Sequence, residues 1–243
     1  MSMKATARAH PIQGLVKYHG MRDPELRLPY HDSISVCTAP TNTTTTVEWL
    51  DDVDAEGGAQ DTYLIDGEEV EGRAAERIAM VVDHVRELAG FDHAVRFESE
   101  NSFPSNIGFG SSSSGFAAAA LALVEAAGLD MSLPEVSTVA RRGSSSAARA
   151  VTGAFSHLYA GLNDEDCRSY RLDSDLEDDL KIVAAHVPSY KETEEAHKEA
   201  AESHMFQARV AHIPDQIVEM RDALREASFE RVFKLAEHDS LSL

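Results

Sequence analysis

The spacing of apolar and polar residues divides the chain into a strand-rich first part and a mostly helical last part. Early in the chain, short runs rich in β-branched and aromatic residues alternate with turn residues such as the Asp66-Gly67 pair, a pattern typical of strands and tight turns. Strands are predicted over residues 33–38, 43–49, 62–66 and 93–99.

Helical periodicity interrupts these strands and then replaces them. The predicted helices span residues 72–89, 116–127, 134–141 and 144–157. The first is amphipathic and stops at Gly90, a residue suited to the left-handed end of a helix. Eleven of the twelve residues in the second are apolar, so that helix is predicted to be buried on almost every side.

The last part of the chain is predicted to hold one strand followed by helices. The strand covers residues 180–187, and the helices cover 192–211, 215–227 and 229–237, the last behind Ser228 as N-cap. A lone strand cannot satisfy its own backbone groups, so we expect its partner strands to lie outside this sequence. The predicted domains are 1–180 and a partial second domain over 181–243, whose exposed strand edge favours association as a homodimer.

Composition and charge exclude several classes of partner. The chain has 243 residues, 43% of them hydrophobic, which is enough for a core. With 22 Lys and Arg against 42 Asp and Glu, the net charge of −20 excludes binding to nucleic acid or an anionic membrane. The spread acidic clusters resemble the surface of a halophile's protein, where salt screens self-repulsion. Because no signal peptide or long apolar run is present, we expect a cytoplasmic protein.

The most informative motif is the glycine- and serine-rich segment 101–115, between a predicted strand and the buried helix. Glycines allow successive N–H groups to point inward, and the positive end of the next helix adds to them, an arrangement that suits phosphate. The four hydroxyls of residues 111–114 could also contact Mg²⁺. The segment is neither a Walker A loop nor G-x-G-x-x-G. A flexible linker, the alternative, would not lie directly against a buried helix.

Two further motifs carry charge. Residues 140–149 place three hydroxyls between arginines, and Ser146 and Arg149 are three apart and so share one helix face. Such a pair can bind a carboxylate or a phosphate, although a solvated patch of serine and arginine is the alternative. Lys17, Arg22 and Asp23 put charges beside an early strand, which by itself is a weak indication of a site.

Taken in order, these motifs resemble the GHMP kinase superfamily and, within it, the mevalonate diphosphate decarboxylases. Residues 17–35 are similar to the family's K-Y-W-G-K-R-D…L-P…S-x-S opening, and residues 44–47 to its T-T-V strand. Residues 101–112 are similar to its phosphate loop, N-N-F-P-T-x-x-G-L-A-S-S, and residues 140–149 to A-R-x-G-S-G-S-A-x-R. Four motifs in the family's order make the resemblance specific.

The resemblance implies an α+β fold of two domains, a ribosomal protein S5 domain 2-like N-terminal domain and part of a ferredoxin-like C-terminal domain. It implies ATP-dependent decarboxylation of a phosphorylated mevalonate with Mg²⁺, in isoprenoid biosynthesis. In family terms, Arg149 and Ser146 would bind the substrate carboxylate, with Ser144 nearby. Tyr18 would contact the substrate phosphate, and Lys17 would lie by the reacting hydroxyl. The residues expected to bind the nucleotide phosphates are Ser105, Gly108, Gly110, Ser111 and Ser112.

The sequence departs from the family pattern at three places. His19 and Met21 replace a Trp and a Lys of the opening motif. Where the family grips a diphosphate with Ser-Ser-Arg, only Ser189 and Lys191 could serve, so we expect the smaller monophosphate as substrate, as in haloarchaeal phosphomevalonate decarboxylases. The family's catalytic aspartate is expected beyond residue 243. A diphosphate substrate, a plain small-molecule kinase and a silent ATP-binding module stay open as alternatives.

Overall fold

The structure, a computed structural model, describes residues 3–50, 60–104, 108–185 and 193–242, with side chains of the last range from Lys198 onward. Its strands are β1 (Lys4–Ala9), β2 (Ile12–Val16), β3 (Met21–Asp23), β4 (Leu28–Pro29), β5 (Ser33–Cys37), β6 (Thr43–Leu50), β7 (Thr62–Ile65), β8 (Glu68–Glu69), β9 (Ala94–Asn101), β10 (Phe155–Leu158) and β11 (Ser169–Leu172). Its helices are α1 (Gly72–Ala89), α2 (Ser111–Ala126), α3 (Leu133–Gly143), α4 (Ala147–Thr152), α5 (Thr193–Glu202), α6 (Phe206–Arg225) and α7 (Phe229–Leu241). The described residues therefore form an α+β fold, as expected.

The first sheet has the strand order β1-β6-β9-β7-β8. Along β6, fully buried residues alternate with half-buried ones, as in a strand with one face against a core. That face carries Val47 and Trp49, which pack with Val82 of α1 and Leu123 of α2. Alanines make up much of α2, and their small side chains let the helix lie close against the sheet and against α3 and α4.

The second sheet has the strand order β11-β10-β5-β2, with β2 at one edge. Ile34 and Phe155 from this sheet form a hydrophobic cluster with Ile217, Met220 and Val232 from α6 and α7. The helices near the end of the chain therefore share a core with strands from its first 180 residues. The predicted division at residue 180 stays a prediction.

Several predicted elements are confirmed and others are wrong. The helix over 72–89 and all four early strands are present. The helix predicted over 144–157 ends at Thr152, because Gly153 and Ala154 take positive φ angles of 73° and 44° and turn the chain into β10. Of the strand predicted over 180–187, residues 180–185 form no strand and the last two lie outside the described residues, so the edge expected to favour a homodimer is not seen among the described residues.

The sequence suggested that Pro214 separates two helices, 192–211 and 215–227, but the structure shows no break there. Instead α6 continues through Pro214, and the break lies earlier, between α5 and α6. Ile213 and Ile217, on either side of the proline, are buried in the same cluster. Packing of this face therefore outweighs the loss of one helical N–H group.

One ion pair fixes the end of α3 against the loop after β10. The Arg141 side chain is fully buried and donates to the Asp164 carboxylate, to Asp164 O at 3.0 Å and to Cys167 O at 3.3 Å. Burial alone would raise the pKa of Asp164, but the hydrogen bond and charge of Arg141, with Arg142 beside it, lower that pKa. The pair therefore stabilises the charged form of Asp164.

We expect Asp164→Asn to lower the free energy of unfolding by roughly 1.5–3 kcal/mol, because it leaves the Arg141 guanidinium buried without a counter-charge. Urea denaturation at constant salt measures this. The control is Asp222→Asn, whose partner Arg225 is 74% exposed, and which should cost less than about 1 kcal/mol. Equal losses in the two variants would contradict the assignment.

Candidate active site

The glycine-rich segment leads into α2 through two residues with left-handed backbone. Gly108 and Gly110 have φ angles of 76° and 87°, a region that favours glycine. The helix begins at Ser111, five residues earlier than predicted, so the serines form its first turn. The first N–H groups of a helix have no partner within it and lie at its positive end. Residues 108–112 therefore have the backbone geometry of an anion site.

The four serines of this turn divide into two pairs. Ser113 is buried, and its hydroxyl donates to Gly110 O at 2.6 Å and accepts from Ile12 N at 3.2 Å. Ser114 is buried too, and its hydroxyl shares a 2.6 Å hydrogen bond with that of Thr43. Ser111 and Ser112 lie nearer the surface, where a ligand could reach them. Ser105, expected beside them, lies outside the described residues.

The second predicted motif surrounds Arg149, which is 3% exposed on α4. Its Nη1 atom donates to the Ser33 hydroxyl, and its guanidinium lies 5.3 Å from the centre of the Tyr18 ring. Burial lowers the pKa of Arg149 to about 10, and among the described residues no carboxylate pairs with it. Its Nε atom is buried, and no group among the described residues forms a hydrogen bond with it. A buried cation in this state calls for an anion.

The structure brings several other predicted residues to Arg149 and leaves two unplaced. Ser144 and Ser146 share a 3.0 Å hydrogen bond, and Ser146 is the N-cap residue of the helix that carries Arg149. Tyr18 is buried at the arginine, and Lys17 precedes it, half-buried at the end of β2. Ser189 and Lys191 lie outside the described residues.

The two predicted sites are joined by β2. At its start, the Ile12 N–H donates to Ser113 in the first turn of α2, and beyond its end Lys17 leads to Tyr18, whose ring lies beside Arg149. Five residues separate Ile12 from Lys17, which corresponds to roughly 17 Å of strand. The phosphate loop and the arginine site are therefore held by one short strand.

A group of arginines near Tyr18 was missed by the sequence reasoning. Burial, together with the positive charges of Arg27 and Arg73, lowers the pKa of Arg77 to about 10. Arg77 also donates to Gly143 O, at 2.6 Å from Nη2, next to the serine motif. A signal was present, since Arg73 and Arg77 are four residues apart at the start of α1, where like charges and the helix dipole both disfavour cations.

Comparison with known proteins identifies the family. A family model described as the diphosphomevalonate decarboxylase-like N-terminal domain matches residues 9–169, from β1 to β11. The chain belongs to the diphosphomevalonate decarboxylase family. This assignment confirms the resemblance drawn from the four motifs, all of which lie within the matched residues.

Relatives of this decarboxylase agree in sequence and in fold. The phosphomevalonate decarboxylase of Haloferax volcanii is 76% identical over 241 residues, 99% of this chain and 73% of its own length. Mevalonate diphosphate decarboxylase from Staphylococcus aureus superposes with a TM-score of 0.87 at 31% identity, over 98% of this chain and 72% of that one. The high identity to a Haloferax protein agrees with the halophilic character inferred from the acidic surface.

A third relative has been solved with ligands. MDDEF in complex with MVAPP, AMPPCP and magnesium superposes with a TM-score of 0.86 at 27% identity, over 98% of this chain and 73% of that one. Among the described residues of the present chain, there is no cluster of three or more His, Cys, Asp or Glu side chains that could hold a metal ion. The described helices also include none that is long and apolar enough to cross a membrane.

Proposed function

We propose that the protein, in its full-length form, converts mevalonate 5-phosphate and ATP into isopentenyl phosphate, CO₂, ADP and phosphate. The observation that carries this proposal is Arg149, a buried cation without a carboxylate partner among the described residues. It suits a substrate that brings its own carboxylate. The name of the Haloferax relative supports the same reaction.

In the proposed reaction the 3-hydroxyl of the substrate attacks the γ-phosphorus of ATP and ADP leaves. The C–O bond of this phosphate ester then breaks, and inorganic phosphate leaves with the oxygen. The electron pair of the bond to the carboxylate carbon forms the C=C bond as CO₂ departs. Such phosphoryl transfer depends mainly on positioning and on neutralising charge. Mg²⁺, when bound with ATP, would supply part of that neutralisation, and the hydroxyls of Ser111 and Ser112 fit the phosphates beside it.

Each predicted site residue that the structure describes has a role in this proposal. The N–H groups and hydroxyls of residues 108–112 hold the nucleotide phosphates. Arg149, with Ser146 and Ser144, holds and orients the substrate carboxylate, and Tyr18 borders the substrate phosphate. The Lys17 amine lies near the reacting hydroxyl and stabilises its negative charge. Arg27, Arg73 and Arg77 add positive charge near Tyr18.

The reaction separates this proposal from the alternatives. A plain kinase would consume ATP and release no CO₂, and a silent module would bind ATP without turnover. A buried arginine that meets a carboxylate has no purpose in a kinase acting on a simple alcohol. We therefore favour the decarboxylase.

The test follows CO₂ and ADP release by the full-length protein in high salt, with mevalonate 5-phosphate and its diphosphate side by side. We expect CO₂ and ADP in equal amounts, and a higher kcat/KM for the monophosphate. Faster turnover of the diphosphate would reverse the choice of substrate. ADP without CO₂ would identify a kinase, and neither product would leave the silent module.

A further inference from the structure

Lys17 and Tyr18 follow directly after β2, which is an edge strand of the second sheet. The last paired residue of β2 is Val16, opposite Ile34 of β5, and the register of the strand is already irregular there. The peptide groups of Lys17 are instead held by side chains from α6 and α7. These helices lie about 190 residues or more further along the chain.

The contacts form a closed ring of hydrogen bonds. The Lys17 N–H donates to Asp239 Oδ2 at 2.9 Å, and Arg209 Nη2 donates to Lys17 O at 2.8 Å. The same Nη2 atom donates to Asp239 Oδ1 at 2.8 Å, which closes the ring. Arg209 Nη1 also donates to Ser242 Oγ at 2.5 Å, so the guanidinium is held in one orientation. Both backbone groups of Lys17 are thus fixed by one ion pair.

Stability alone is a weak reason for this ion pair. The side chains of Arg209 and Asp239 are only 8% and 1% exposed, so both charges have been removed from water. Buried pairs of this kind can often be replaced by apolar residues of similar volume with no loss of stability. What an apolar pair could not do is bind the two polar groups of the Lys17 peptide.

We infer that Arg209 and Asp239 are positioning residues for the reaction. They fix the Lys17 peptide, and through it they hold the Lys17 amine and the Tyr18 ring at the Arg149 side of the site. The inference rests on the proposed function, because Lys17 and Tyr18 take their catalytic importance from it. The alternative is that the Arg209–Asp239 pair has a purely structural role and only joins α6 and α7 to β2.

The deciding experiment removes both charges together in the full-length protein, as Arg209→Met with Asp239→Leu. The double variant should unfold at a somewhat lower denaturant concentration, because the Lys17 N–H and C=O lose these partners, but it should stay folded under assay conditions. Its kcat should fall roughly 10- to 100-fold, since small misplacements of reacting groups cost that much. The KM for ATP should not change. Asp239→Asn, which retains the shape of the pair, should lower kcat as well.

Hydrogen exchange of the Lys17 amide provides a readout that does not depend on turnover. Exchange at this amide should become faster in Arg209→Met and Asp239→Asn, while amides elsewhere in β2 keep their protection. Arg225→Met, which removes an exposed arginine from the same helix, should change neither exchange nor kcat.

Three results would overturn the inference. Wild-type kcat in the folded double variant would show that the ion pair is purely structural and has no role in the reaction. Faster exchange throughout β2, α6 and α7 would show a general loss of stability. Unchanged exchange at Lys17 would show that the ring of hydrogen bonds does not hold that peptide. If the wild-type protein itself releases no CO₂, the proposed function fails, whereas the exchange data still report whether the ring holds Lys17.

Discussion

Arg149→Ala in the full-length protein is expected to lower kcat/KM for the phosphorylated mevalonate by about 10- to 150-fold, the equivalent of roughly 1.5–3 kcal/mol for a lost charged hydrogen bond. The reason is that Arg149 is proposed to meet the substrate carboxylate, and it is buried beside Tyr18 with an Nε donor that no described residue accepts. The affinity for ATP should change by less than about twofold. Steady-state assays with each substrate varied in turn measure both effects.

Two comparisons separate this effect from damage to the fold. Arg149→Lys keeps the charge but loses the planar fork of donors, so it should recover only part of the activity. Arg225→Ala removes an exposed arginine and should leave both constants unchanged. Losses of equal size in ATP affinity and in decarboxylation would mean that Arg149 serves the nucleotide, and the carboxylate assignment would be wrong.

Local patterns were sufficient where one element determines its own structure. The helix over 72–89 was predicted to the residue, because its apolar stripe and the glycine after it are both local signals. The helix that follows the phosphate loop was predicted too, but it begins at Ser111, since a left-handed Gly110 starts the helix before the apolar run. The strand β10 was missed because its four residues follow directly from an alanine-rich helical pattern.

The candidate site shows the same limit at longer range. Arg149, Tyr18 and the glycines could be found from the sequence, because each lies in a short motif whose functional residues are neighbours along the chain. No periodicity could indicate that Asp239, 222 residues from Lys17, would accept its N–H group. Arg77 lies within the helix predicted over 72–89, and the sequence does not show which face of that helix meets Tyr18. Residues that act through tertiary contacts therefore need the folded structure.

Gly110→Ala is expected to weaken nucleotide binding by about tenfold or more, equivalent to at least roughly 1.4 kcal/mol. Gly110 has a φ of 87°, and an added Cβ would lie 3.2 Å from Ile12 O and 3.1 Å from Ser113 Oγ. An alanine there either retains the left-handed backbone, at a cost of about 1–2 kcal/mol, or turns the N–H groups of the loop away from the phosphates. Titration with a non-hydrolysable ATP analogue and Mg²⁺ measures the change.

The matched control is Gly90→Ala at the end of α1. Gly90 has a similar φ of 70°, but an added Cβ would meet nothing within 4 Å. Both variants therefore carry the same backbone strain, and both should lose stability by about 1–2 kcal/mol. Only Gly110→Ala should also lose nucleotide affinity, because only Gly110 lies at the start of α2, where the phosphates are proposed to bind. Wild-type affinity in Gly110→Ala would place the nucleotide elsewhere and remove the phosphate loop from the proposed site.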